Sequence, residues 1–250
     1  MRNKGKIRAV PKQENAIKLK KPSRASLVGI LMLSTFITCS LPTVEERLPA
    51  EIEQKIFWDR HLDKVISKDL LPYPSTFYIP EIRDRYNFLR KTISKRYARG
   101  IEFNCSTVFS PRSRNVAAGC EVREGIPCLR LFIPKQMEIC EEFRQSGKED
   151  WNEQFKLSVV VSIMHELEHL ACDPSDDPKD TQTLEGLVFQ EKIAWDSTCR
   201  YSIMPLIENH HFNMAGSHVL YYRAWIATGR DKDSPGWTKF LTDAYREARP

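Results

Sequence analysis

The segment from Trp151 to Cys172 constrains the fold more than any other part of the chain. Val159, Val160, Val161, Ile163 and Met164, just before His165, make this a buried helix. Asp150-Trp151-Asn152-Glu153 has the form of a capping box at its start, and Asp173-Pro174 ends it. Within this apolar helix stand His165, Glu166, Glu168 and His169. Buried imidazoles and carboxylates are costly unless something balances their charge. The rest of the chain must therefore supply both a core around this helix and a partner for its polar groups.

The flanking segments fit an α+β chain, mainly helical. Val44 to Asp69 has helical spacing until Leu71-Pro72-Tyr73-Pro74 breaks it. Pro80 opens a second helix that runs to about Arg99, with Ile82, Tyr86, Leu89 and Ile93 on one face. Ile101 to Phe109, Val116 to Val122 and Pro127 to Pro134 read as short strands. Residues 123–126 form the turn of a hairpin, so a small antiparallel sheet or hairpin is expected before the central helix. The alternating Leu129 to Ile133, stopped by Pro134, suits an edge strand. Helices are expected at Lys135 to Ser146, from about Thr181 to Met204, after Pro205, and at Pro235 to Ala248. An acidic loop, Asp173 to Asp180, joins the central helix to the one after it.

The chemistry sits in His165-Glu166-Leu167-Glu168-His169. Histidines four apart on a helix lie one turn apart on one face, so both imidazoles reach one metal ion. Glu166 is rotated about a third of a turn, where its carboxylate can take a proton from a water on that metal without ligating it. A catalytic Zn2+ needs three protein ligands and an open position. No histidine follows within eight residues of His169, and the alternative third ligand is a glutamate on the following helix. Glu185 and Glu191 are the two candidates. If the two helices run antiparallel, both fall within about a turn of the metal, and spacing alone does not separate them.

His165-Glu166-Leu167-Glu168-His169, followed downstream by Glu191-Lys192-Ile193-Ala194, resembles the gluzincin metallopeptidases. In that family a helical glutamate is the third zinc ligand. Glu191 matches this downstream element and Glu185-Gly186-Leu187-Val188 does not. The resemblance implies a zincin-like core, His165, His169 and Glu191 as zinc ligands, Glu166 as catalytic base, and a peptide or protein substrate. It covers Trp151 to Asp196 and the preceding hairpin. Many gluzincins place an aspartate four residues after the glutamate ligand to orient the first histidine; here Trp195 stands there and Asp196 one place later. A downstream His, Tyr or Arg often steadies the oxyanion in such enzymes. His210, His211, His218, Tyr201, Tyr221 and Tyr222 lie in range, and none is singled out. His61 reads as helix surface. Two other functions share the motif: an idle cell-envelope binding lipoprotein on a zincin scaffold, and a hydrolase of a non-peptide amide bond. Intact Glu166 speaks against the first.

Charge and leader bear on location. Residues 1–24 hold nine Lys or Arg against Glu14, a net +8, so the other 226 residues carry −3 of the overall +5. A mildly acidic folded part is a poor nucleic-acid binder. Residues 25–41 are uncharged and mostly apolar, which fits a signal peptide or membrane anchor behind a basic cytoplasmic tail. Cys39 at the end of that run admits a lipoprotein, although Phe36, Ile37 and Thr38 match a lipobox poorly. Residues 42–250 are then one extracytoplasmic domain, periplasmic or in the cell envelope. The remaining cysteines are Cys105, Cys120, Cys128, Cys140, Cys172 and Cys199, an even number that suits disulfides. Hairpin pairing brings Cys120 within one position of Cys128, the expected bridge; straight antiparallel helices hold Cys172 and Cys199 apart.

Overall fold

Glu124 and Gly125 both take positive φ, 51° and 77°, the geometry that joins two strands through a two-residue turn. They link β2 (Ala118–Arg123) to β3 (Ile126–Phe132), with Cys120 opposite Leu129 and Ala118 opposite Leu131. The hairpin thus forms in the register its sequence implies. The computed structural model describes residues 50–62, 79–97, 99–111, 113–172, 183–209 and 217–248. The basic tail, the apolar run with Cys39, and the acidic loop 173–180 lie outside the described residues, as do His210 and His211. Among the described residues no helix is long and apolar enough to cross a membrane.

The sheet is not purely antiparallel. A third strand, β1 (Glu102–Ser106), pairs in parallel with β3, giving the order β1-β3-β2. β1 and β2 run in opposite directions, with β3 between them. β3 is consequently the central strand, not an edge. Pro134 follows it because a helix starts there: α3 (Ile133–Gln145) has this proline in its first turn, where a missing N–H costs nothing.

Alternation gives the sheet two faces. Phe103, Cys105, Ala118, Cys120, Leu129 and Leu131 share one of them. The long helix α4 (Trp151–Ala171) packs on β2 and β3, and α3 and α2 (Pro80–Arg96) pack on other sides of it. Its Val159, Val161, Ile163, Met164 and Leu167 are fully enclosed. Each such aliphatic side chain contributes roughly 1.5–3 kcal/mol of burial. The capping box does not form. Asp150 has φ −89° and ψ 11°, and its carboxylate accepts from Gln154 Nε2 at 2.6 Å instead of from the helix backbone.

α5 (Leu184–Thr198) lies against α4 and is capped by Thr183 Oγ1, which accepts from Gly186 N at 3.1 Å. A π-helical turn, Cys199–Ile203, and the short α6 (Met204–Glu208) continue it. α7 (Ser217–Ala227) and α8 (Pro235–Ala248) complete the described chain, α8 packing on α5. Near the start, α1 (Ala50–Phe57) passes into a π turn, Trp58–Leu62. His61 in that turn is not simple surface: its Nδ1 is 2.9 Å from Asn152 Oδ1, and its ring meets Phe57, Trp151 and Phe155.

No disulfide joins any two of the six described cysteines. The Cys120–Cys128 bridge fails for a reason of register. Cys120 pairs with Leu129 while Cys128 pairs with Glu121, so the two thiols project from opposite faces of the hairpin. Cys128 Sγ instead lies 3.8 Å from Glu102 Oε2.

Candidate metal centre

The packing of α5 on α4 brings three donors to one point. His165 and His169 stand one turn apart on α4, their rings 4.7 Å apart and nearly perpendicular. Their Nε2 atoms are 3.2 Å from each other. From α5, Glu191 places Oε2 3.3 Å from His165 Nε2 and Oε1 3.4 Å from His169 Nε2. The three donor groups lie within 4.8 Å of one another. Ligands about 2.0–2.2 Å from a tetrahedral ion stand about 3.3–3.5 Å apart; the Nε2–Nε2 and His165–Glu191 Oε2 separations are of that length, while Glu191 meets His169 through its other oxygen. Glu185 sits in the first turn of α5, on the rim of a cavity of about 310 Å³ that opens between α5 and α8. It does not belong to the cluster.

The three groups are coupled electrostatically. Burial disfavours charge on Glu191, but His169 and His165 outweigh it and hold the carboxyl well below its ordinary range. Burial likewise opposes charge on His169, and Glu191 overcomes it, raising that imidazole to about 9. Glu166 is buried next to His165. Its charge raises both His169 and Tyr245, so it acts on the cluster from nearby.

Several residues complete the site from elsewhere in the chain. Glu168 is the second carboxylate of the motif, and its partner is Arg85 on α2. The guanidinium makes two bonds to it, 2.7 Å from Nε to Oε1 and 2.6 Å from Nη2 to Oε2. Arg85 also lies over the Tyr201 ring at 4.4 Å, which gives Tyr201 a packing role. Tyr245 on α8 donates its hydroxyl proton to Glu191 Oε1. Burial and the Glu191 charge both push that phenol upward, so it remains a donor. Tyr245 sits on the amphipathic C-terminal helix with no motif around it, and nothing in the sequence marks it.

Trp195 occupies the place where many gluzincins carry an aspartate. Its indole packs on the His165 ring at 4.3 Å and stacks on Tyr221 at 4.2 Å. Asp196 points elsewhere: its Oδ1 accepts from Trp225 Nε1 at 2.7 Å and lies 3.4 Å from Arg200 Nη2. Tyr222 lies beside Trp225. His218 is buried behind Trp195, with Nδ1 3.3 Å from Ser158 Oγ. It fastens α7 to α4 a turn or two before the cluster.

The chain matches no protein family, no curated protein and no solved structure. Its function is therefore argued from this cluster.

Proposed function

We propose that this chain is a zinc-dependent peptidase of the gluzincin kind, exported and tethered or released through its N-terminal segment. The observation that carries the reading is the His165–His169–Glu191 group at tetrahedral-edge spacing with Glu166 next to it. The donor set fits zinc: two imidazoles, His169 giving up its proton on binding, and a carboxylate, with the fourth position left for water or substrate. A long helix under a small sheet, with the third ligand on the next helix, is the zincin-like arrangement this reading assigns to the core.

Zinc bound there would supply a Lewis acid and lower the pKa of water at the site. His165, His169 and Glu191 would hold it. Glu166 accepts the proton of the water that attacks the peptide carbonyl, then passes it to the leaving amine. Tyr245 keeps Oε1 of Glu191 engaged, so Oε2, 3.3 Å from His165 Nε2, would be the oxygen left for the metal. Trp195 and Tyr221 wall one side and restrict water there. A peptide substrate that adds as an extended strand would pair with β1 or β2, because both ladders of β3 are already taken.

Glu166→Gln separates base from ligand. It should leave zinc content at the wild-type level and lower peptide hydrolysis by at least ~100-fold. Loss of zinc in that variant would make Glu166 a ligand; unchanged hydrolysis would remove it from the chemistry.

A further inference from the structure

Thr198 stands two turns beyond Glu191 on α5, with no solvent exposure. Its Oγ1 lies 2.7 Å from the carbonyl oxygen of Ala194 and 3.3 Å from His165 Nδ1. A hydroxyl has one proton and two lone pairs. The shorter, carbonyl-directed bond uses that proton, since a carbonyl can only accept. Toward His165 the hydroxyl can then only accept, so Nδ1 must carry the imidazole hydrogen. In the neutral imidazole Nε2 is then the nitrogen with the lone pair, on the side of His169 and Glu191.

We infer that Thr198 is the positioning residue for His165, fixing the tautomer and ring orientation that metal binding through Nε2 requires. The inference rests on the zinc reading above and deepens it. The neighbouring geometry excludes the obvious alternatives. Trp195 offers the His165 ring a packing surface and no acceptor, while the Asp196 carboxylate is engaged by Trp225 and Arg200. Ligating histidines are usually held through their other nitrogen by a carboxylate, a carbonyl or water. Here the holder is a neutral side-chain hydroxyl, itself anchored by the helix that carries the glutamate ligand. One helix thereby supplies a ligand and orients a second ligand on its neighbour.

The test is zinc titration of the full chain and of Thr198→Val, which keeps the shape and removes the hydroxyl. Apparent zinc affinity should fall about 10–100-fold in Thr198→Val. Thr198→Ser should restore it to near wild type, and the far-UV spectra of the metal-free forms should coincide. Equal affinity in wild type and Thr198→Val would overturn the assignment. If the valine variant does not fold, ¹⁵N NMR of the metal-free wild type at alkaline pH decides. The account requires the His165 hydrogen on Nδ1; finding it on Nε2 sinks the proposal. A wild type that binds no zinc but shows the Nδ1–H tautomer would instead count against the metal reading, leaving Thr198 as the holder of His165.

Discussion

Glu168 shows what a single buried charge demands of the rest of the chain. It is enclosed within α4, and two bonds of 2.7 and 2.6 Å tie it to Arg85, 83 residues earlier. Removing the cation would strand a carboxylate inside the core, whose cost exceeds the net value of the pair. Arg85→Ala should therefore destabilise the fold by roughly 3 kcal/mol in urea unfolding. The double change Arg85→Ala with Glu168→Leu should recover most of that loss, because no charge is then left unpaired. If the double variant is no more stable than the single one, Arg85 acts through packing on Tyr201 and Phe88. The carboxylate of Glu191 depends on α8 in the same way, through Tyr245. Tyr245→Phe should weaken zinc binding by about tenfold at most while leaving the fold intact.

The attachment of α7 to α4 depends on pH through His218. Burial, with a smaller push from His165, lowers this imidazole from 6.5 to about 4. The folded state therefore resists its protonation more than the unfolded chain does. Its contribution to stability is fully present above about 6.5 and declines as pH falls toward 4. At about 1.4 kcal/mol per pH unit the loss across that window is on the order of 3–4 kcal/mol. Thermal unfolding of wild type and His218→Gln should show it: the wild type falls more steeply with acid. Parallel curves would mean that His218 is not held neutral. At this scale the chain is also most legible. Gly125 and the alternating pattern around it mark the hairpin, and Pro80 and Pro235 mark helix starts, while Pro134, which reads as the stop of an edge strand, lies in the first turn of α3. What sequence does not carry is the partner of an element. β1 joins β3 across a non-local, parallel ladder, which makes Leu129–Ile133 central where alternation suggested an edge. Arg85, Thr198 and Tyr245 reach the site from other helices, at spacings no local period encodes. The two histidines and Glu191 were legible because helical period and one downstream motif suffice to bring them together.

Across the whole molecule, one long helix is enclosed by a mixed sheet and helices, and the candidate metal centre lies where α5 meets it. The cysteines report on this packing. Burial raises Cys105 to about 12 and Cys140 to about 11, so both should resist alkylation in the folded chain and react once it is denatured. A non-reducing peptide map should contain no Cys120–Cys128 linked peptide; finding one would contradict the register of the hairpin. The proposed function stands on the convergence of His165, His169 and Glu191 on one zinc ion. Metal analysis of the purified full chain, beside Glu191→Ala and Glu185→Ala, measures that convergence. About one zinc per chain is expected in the wild type and in Glu185→Ala, and almost none in Glu191→Ala. A wild type without zinc, or a fully loaded Glu191→Ala, would overturn it.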